Sequence, residues 1–302
     1  MELSVVGSGD IRIRPARQSD HDAVCRLCED IWSDRDGDYL PRVYPQWIRG
    51  DDRNTLVAID DTDVVGIAQC VLLTPHEAWC QGLRVHEDKR GQGIAATIMQ
   101  ELFAWARKRG ATVARSMVFS WNRAGMGVAR GVGFEPTTSF RFVTPAPSGD
   151  ELPAAVVYDG ERGWNYWQQS DANSHLHGLG LDDSESWAMR KLKFDDMTNN
   201  RTLTIADGEV TGVALRGRRE NFDDKGETIR RQEYIATAWD DLSAANTLFR
   251  AIAFDANEQG ATHTRVVIAE DITAISDAAA AGVPIDAEPH FIFSFDLRQV
   301  EG

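Results

Sequence analysis

The sequence predicts an α/β (α+β) chain made of two copies of one α/β unit. Three observations carry this. Strand-like and helix-like patterns alternate along the whole chain. A Pro/Gly/Ser-rich stretch, Pro145-Ala-Pro-Ser-Gly149 with Pro153 beyond it, divides the chain near its midpoint. Each half also ends alike, with a helix, Gly-Val, a proline, a short gap and a strand of alternating aromatics. A length of 302 residues suits two domains, read here as 1–147 and 148–302.

In the first half, Ile11 and Ile13 alternate with Arg12 and Arg14, which predicts a short strand. Ser19 or Asp20 caps a helix running to about Trp32, and a second helical piece covers Pro41–Ile48. Strands follow at Thr55–Ile59 and Val64–Leu73, joined by an Asp-rich turn, and another at Ala78–Val85. A glycine-containing loop then leads into a strong helix with Ile94, Ile98, Leu102 and Trp105–Ala106 on one face, ending at Gly110. A strand at Val113–Phe119, a short helix from Asn122 and a strand at Ser139–Val143 complete the half. The second half repeats the plan more faintly. Strands are expected at Thr202–Ala206, Val210–Arg216, Glu233–Trp239 and Thr264–Ala269, helices at Leu242–Glu258 and Asp271–Ala281, and Phe291, Phe293 and Phe295 alternate on a last strand.

Charge excludes some functions. The formal net charge is −15, against a nucleic-acid footprint or a polybasic membrane anchor. The acids are 30 Asp and 17 Glu, the bases 27 Arg and only 5 Lys. Short hydrated carboxylates with few long apolar lysine stems suit a halophile's cytoplasm, where salt screens self-repulsion; an ordinary acidic enzyme is the plainer reading. The start has neither a basic nor an apolar leader pattern, and the longest apolar run is too short to span a bilayer, so the chain reads as soluble and cytoplasmic. Cys25, Cys28, Cys70 and Cys80 read as buried thiols, because no second pair follows at zinc-site spacing; no metal is expected.

The informative segment runs from Gly82 to Ala95. A strand ends at Val85, a helix begins near Gly93, and Arg90-Gly91-Gln92-Gly93-Ile94-Ala95 lies between them. Glycines let successive N–H groups turn inward, and a helix N-terminus adds free N–H groups and its positive dipole end. Together they make an anion cradle suited to a diphosphate. Lys89 and Arg90 add positive charge there. Walker and Rossmann spacings are both absent.

Arg90–Ala95 fits the Gln/Arg-x-x-Gly-x-Gly/Ala motif and thus resembles the GNAT acetyltransferase family. The preceding Gly82-Leu-Arg-Val85 resembles the family's pantetheine strand, and Asn122 to Phe134 resembles its Asn…Gly-Phe helix; the likeness covers residues 10–145. Asp38-Tyr-Leu-Pro41, Trp47 and Gly82-Leu-Arg-Val85 also resemble the histidine N-acetyltransferase branch. The resemblance implies two acetyltransferase-like domains, each a mixed, mostly antiparallel sheet flanked by helices. It implies acetyl-CoA as co-substrate, held by Leu83, Arg84, Val85, Lys89, Arg90, Gly91, Gln92, Gly93, Ile94, Ala95 and Asn122. The reaction it implies is direct attack by the primary amine of a small molecule or amino acid on the thioester. A base takes the amine's proton and a backbone N–H near Leu83–Val85 polarises the carbonyl.

Two positions depart from the family pattern. Gln81 stands where many members carry a glutamate, and it cannot act as a base; Glu77, on the same strand face, is the candidate replacement through water, or else a solvated strand-end acid. Ala129 stands where many members carry a tyrosine acid; Tyr39 is the candidate substitute. Asp38 and Tyr39 are candidate acceptor contacts, with capping and packing as the alternative. In the second half the matching loop, Trp239-Asp-Asp-Leu-Ser-Ala-Ala245, has no glycine or base. It implies a degenerate domain without a pyrophosphate loop, structural or walling the acceptor cleft; Trp164, Tyr166 and Trp167 line that wall or, the more common case for such a cluster, form a plain interdomain core patch. Protein N-terminal or lysine acetylation, or acyl-CoA binding without turnover, are the competing functions.

Overall fold

The computed structural model describes residues 4–6, 11–29, 31, 37–198, 201–224 and 226–300. The chain packs as two compact units. The first comprises Met1–Met117, Asn122–Pro136 and Phe293–Gly302; the second comprises Val118–Trp121 and Thr137–Ile292. The linker reading cuts the chain once, whereas these units are discontinuous in sequence.

In the first unit the order is β1 (Ser4–Val6), β2 (Ile11–Pro15), α1 (His21–Cys28), α2 (Leu40–Trp47), β3 (Arg53–Asp60), β4 (Asp63–Thr74), β5 (Glu77–Val85), α3 (Ile94–Lys108), β6 (Val113–Phe119) and α4 (Arg123–Gly131). Strands β1 to β6 lie in sequence order, antiparallel except for the parallel pair β5/β6. The central strand β4 is apolar on both faces because both are covered. On one side lies α3, whose Ile94, Ile98 and Leu102 are fully buried. Gly66 lets it approach, since a Cβ there would sit 3.1 Å from Ile94. On the other side Val24, Leu27, Leu40, Tyr44 and Trp47 of α1 and α2 form a cluster with Val57 and Ile67. Helix α1 ends earlier than expected, at Cys28, and Trp32 lies outside the described residues. The chain's last segment also packs in this unit: Phe295 stacks on Phe103 at 4.2 Å and meets Phe134 edge-on at 6.1 Å.

The second unit draws on β7 (Glu135–Val143), β8 (Val156–Tyr158), α5 (Gly160–Gln169), α6 (Asp171–His175), β9 (Leu179–Leu181), β10 (Met189–Lys191), β11 (Thr202–Asp207), β12 (Glu209–Asp224), β13 (Glu227–Trp239), α7 (Leu242–Glu258), β14 (His263–Ala269), α8 (Ile272–Ala280) and β15 (His290–Asp296). Its sheet order is β7-β14-β13-β12-β11-β8, again antiparallel except for one parallel pair, β13/β14. Strands β9 and β10 form a separate ribbon. The plan of strand, loop, helix and parallel strand therefore occurs twice, as the repeat in the sequence implies. Buried Leu248, Ile252 and Ala256 of α7 pack with Tyr234 of β13 and Val266 of β14.

Two features of this unit lay outside the expectation. The β12/β13 hairpin runs past the expected strand ends because its outer half is polar, with Glu220 opposite Arg231 and ion-paired to it. Of the aromatics on helix α5, Trp167 is buried and Trp164 and Tyr166 are half-buried. Trp167 is fully buried, and the Tyr166 hydroxyl donates to the Thr211 carbonyl at 3.1 Å and to Asp240 at 2.7 Å. No helix among the described residues is long and apolar enough to cross a membrane.

Candidate functional site

Strand β5 is built to part from its neighbour. It pairs with β6 only over Glu77–Trp79, opposite Val113–Arg115. Against β4 its register slips: Gln81 faces Gln69, but Arg84 faces Ile67, so three steps on β5 match two on β4. The extra residue is a bulge. Gly82 sits there at φ +67, where a side chain is strained. Trp47 occupies the space a side chain would need, since a Cβ on Gly82 would fall 2.3 Å from its ring. Beyond Trp79, β5 keeps its pairing to β4 but is no longer paired with β6.

The loop that follows has the geometry of a cradle. Residues Glu87–Lys89 make one 3-10 turn, and Gly91 and Gly93 adopt φ +75 and +82. Gly93 is the N-cap of α3, and no side chain caps that helix end. The first-turn N–H groups and the dipole of a fifteen-residue helix are therefore directed at this loop. Arg90 is exposed, its Nε donating to the Val85 carbonyl at 3.3 Å, and the Gln92 amide donates to the Asp88 carbonyl at 3.3 Å. Lys89 differs from expectation. Its ammonium pairs with Asp60 at the end of β3, and this partner raises its pKa above the ordinary value. The mobile charge of the loop is Arg90.

Beside the bulge, three short sequence segments meet. The Arg84 guanidinium grips Asp38 bidentately, Nε to Oδ2 at 2.7 Å and Nη2 to Oδ1 at 3.1 Å. Arg84 Nη1 donates back to the Leu83 carbonyl at 3.1 Å. Asp38 Oδ1 also accepts from the Leu40 N–H at 3.0 Å, which caps α2. Tyr39 lies with its ring 5.7 Å from the guanidinium and edge-on to Trp47 at 6.2 Å. Burial works against the Arg84 charge, but Tyr39 and Asp38 outweigh it and hold its pKa above the ordinary value. Burial first, and then Asp38, push the Cys28 thiol up to about 12. Asp38, Tyr39, Leu83 and Arg84 are therefore brought together. Asp38 is nevertheless sealed, with 1 % of its side chain exposed, so it serves as a cap and ion-pair partner rather than an acceptor contact.

The other candidates are placed elsewhere. Gln81 joins a polar chain: it donates to Gln69 at 2.8 Å, accepts from the Trp79 indole at 3.2 Å, and Gln69 donates to the Trp47 carbonyl at 2.9 Å. Glu77 faces Arg115 at 3.2 Å, with both side chains largely buried. Asn122 caps α4, its Oδ1 accepting from Gly125 N–H at 2.8 Å, so its carboxamide oxygen is committed to the helix. Sequence reasoning missed Gln69 and Arg115. The signal for Gln69 was available, as it is the one polar side chain in Val64–Leu73.

The corresponding region of the second unit is closed. Asp241 caps α7, accepting from the Ala244 N–H at 2.8 Å. The Thr237 hydroxyl donates to the Val267 carbonyl at 2.6 Å, tying β13 to β14 past their last paired residues. The Trp239 indole donates to Asp277 at 3.0 Å and packs edge-on to Phe249.

This cradle beside a bulged, parted strand lies inside the stretch that matches a known family. Residues 21–134 match the model of the Acetyltransferase (GNAT) family. The match covers less than half of the chain. Curated relatives include the histidine N-acetyltransferase of Scomber australasicus, 28% identical over 86 residues, which are 28% of this chain and 25% of that protein. The counterpart from Oreochromis niloticus matches to the same extent. The chain thus spans about a quarter of the length of the curated relatives it matches. Among solved structures, a GCN5-related N-acetyltransferase from Sphaerobacter thermophilus aligns with a TM-score of 0.57 at 12% identity, covering 95% of this chain and 96% of that one. A tandem GNAT protein from the clavulanic acid biosynthesis pathway aligns with a TM-score of 0.52 at 13% identity, covering 95% and 99%. These likenesses extend the GNAT fold over nearly the whole chain as a tandem arrangement.

Proposed function

We propose that the chain is an acetyl-CoA-dependent N-acetyltransferase acting on the primary amine of a small molecule, with amino acids, histidine among them, as the first class of acceptor. The observation that carries this is the uncapped N-terminus of α3 behind Gly91 and Gly93, next to the open edge of β5. The diphosphate would lie on the N–H groups of Arg90–Ala95, with Arg90 adding charge, and the pantetheine along Gln81–Val85. The amine nitrogen attacks the thioester carbonyl, the C–N bond forms, the C–S bond breaks, and CoA leaves as a thiolate. The amine's proton passes to a base, for which Glu77 through water is the candidate, and Tyr39 is the candidate donor to the thiolate. A backbone N–H on the parted edge of β5 would stabilise the oxyanion.

The second unit, with α7 capped by Asp241 and its strand pair tied by Thr237, is proposed to bind no CoA. The acid-rich, lysine-poor composition supports a halophilic setting, so assays belong at molar as well as low KCl. A second reading has one observation in its favour. Gln81 and Ala129 occupy the usual acid/base positions, which suits an acyl-CoA-binding regulator without turnover.

Calorimetric titration with acetyl-CoA, combined with thiol release over a panel of primary amines that includes L-histidine and a lysine peptide, separates these readings. Binding with release supports the enzyme, and the amine released upon names the acceptor class. Binding without release supports the regulator. Arg90→Glu should weaken acetyl-CoA binding at least tenfold, and unchanged affinity would contradict the cradle. Glu77→Gln with an unshifted pH–rate profile would remove Glu77 from the mechanism.

A further inference from the structure

We propose that the Asp38–Arg84 ion pair is a positioning device that sets the start of α2, and with it Tyr39, against the bulge of β5. The inference rests on the acetyltransferase reading above. Both partners belong to elements that matter for the chemistry. Arg84 is the second residue past Gly82, and it holds the Leu83 carbonyl as well as Asp38. Asp38 fixes the first turn of α2 through the Leu40 N–H. The two are 46 residues apart in sequence, so the bond fixes a distance that no local structure sets. Trp47 closes the same arrangement from the other end of α2 by packing on Gly82 and meeting Tyr39 edge-on.

Burial makes the pair obligatory. Side-chain exposure is 11 % for Arg84 and 1 % for Asp38, so removing the carboxylate charge leaves a largely buried guanidinium without the Asp38 charge. The planar fork also sets orientation as well as distance, which an ammonium at the same place would not. A shift of about 1 Å between α2 and the bulge would move Tyr39 relative to the thioester, a misplacement on the scale that lowers rates about 10²-fold. Acetyl-CoA affinity should respond much less, because the cradle of Arg90–Ala95 is held by its own glycines and by α3.

The test is steady-state thiol release with acetyl-CoA and the panel amine that wild type turns over, L-histidine first, for Asp38→Asn and Arg84→Lys, with acetyl-CoA affinity measured in parallel. Asn at position 38 still accepts from the Leu40 N–H, so α2 keeps its cap. The expected result is an acetyl-CoA dissociation constant within about threefold of wild type in both variants, because the pantetheine would meet the backbone at position 84 while the Arg84 side chain turns to Asp38. With it, kcat should fall about 10²-fold and the acceptor KM should rise. Wild-type kcat and KM in Asp38→Asn and Arg84→Lys, even with a lowered melting point, would make the pair merely structural and overturn the proposal. Should Asp38→Asn fail to fold, Arg84→Lys decides alone. A wild-type protein that neither binds acetyl-CoA nor releases CoA would overturn the acetyltransferase reading, and the pair's role with it; an active wild type with unaffected variants would overturn the pair's role only.

Discussion

Acidification should weaken the fold through one histidine, well before the carboxylates protonate. His290, 5 % exposed, is stacked on Phe140 at 5.0 Å and surrounded by Phe142, Phe119 and Trp187 at 5.1, 5.5 and 5.7 Å. Its Nδ1 has no hydrogen-bond partner among the described residues. Burial lowers its pKa first, and repulsion from Arg265 and Arg141 adds to this; backbone hydrogen bonding at Phe140 and the charge of Glu288 oppose it, leaving a value of about 4 against an ordinary 6.5. Between those two values the unfolded chain binds a proton that the folded chain refuses. Stability therefore rises with pH across the window and falls as pH drops from 6.5 toward 4. One pKa unit corresponds to about 1.4 kcal/mol, so His290 should cost the fold about 2 kcal/mol by pH 5 and about 3 kcal/mol by pH 4. Urea denaturation followed by tryptophan fluorescence at pH 7.5, 6.5, 5.5 and 5 would measure it. The difference between wild type and His290→Leu should shrink by that amount on acidification, whatever its value at neutral pH. Parallel curves for the two proteins through pH 5 would refute the neutral, buried imidazole.

Other substitutions probe other parts of the structure. Gly82→Ala forces a Cβ to 2.3 Å from Trp47 at φ +67 and should cost about 2–4 kcal/mol and abolish acetyl-CoA binding; a wild-type melting curve and affinity would refute the bulge. Asp255, fully buried, takes Arg216 at 2.6 Å and the hydroxyls of Tyr158 and Tyr234 at 2.8 and 2.7 Å. Asp255→Ala should therefore lose about 3–5 kcal/mol in thermal or urea unfolding, with Asp255→Asn between it and wild type. Phe295→Ala removes the ring stacked on Phe103 and should cost about 2–4 kcal/mol, seen as a lower melting point; no change would mean that the last strand contributes nothing to the first unit. At lower pH, burial works against the carboxylates of Asp20, Asp196 and Glu220, yet their arginines outweigh it and hold all three below the ordinary range. Their stabilisation is complete above about pH 4.5 and is lost as pH falls through the lowered values, so Arg14→Ala, which frees Asp20, should flatten part of the acid limb.

What the sequence made legible was local. The cradle depends on glycines at positive φ between a strand and a helix, and all of that lies within Val85–Ile98. The repeat was legible because apolar periodicity is written directly in β13, α7 and α8. Long-range pairing was not. Asp38 and Tyr39 read as acceptor-loop residues because nothing near them in sequence announces Arg84. Gln81 read only as a missing base, since its link to Gln69 depends on the register of β4 against β5. Lys89 read as a free charge for the same reason, with Asp60 on a different strand. The outer β12/β13 hairpin escaped notice because its strands are held by cross-strand arginine–glutamate pairs, Arg218 with Glu233 and Arg231 with Glu220, rather than by an apolar face.

The two parallel strand pairs show what separates a ligand site from a core in this fold. In both units a strand leads through a short loop into a long helix, so each helix begins with N–H groups that need partners. At α7 the Asp241 carboxylate supplies one, a cap worth about 1 kcal/mol, and Thr237 and Trp239 close the space beside it. At α3 the cap is Gly93 in the left-handed region, which offers no side-chain acceptor and forgoes that stabilisation. A carboxylate in its place would occupy the same N–H groups and set a negative charge where the proposed diphosphate would lie. The first unit also stops pairing β5 with β6 at Trp79 and bulges at Gly82, which parts the two strands ahead of the loop. Each of these choices gives up local stabilisation at the start of α3 and at the end of β5. Asp38–Arg84 and Trp47 sit where that loss of pairing would otherwise loosen the strand. The stiffness given up in the sheet is recovered from α2, which ties Tyr39 to the strand proposed to carry the thioester.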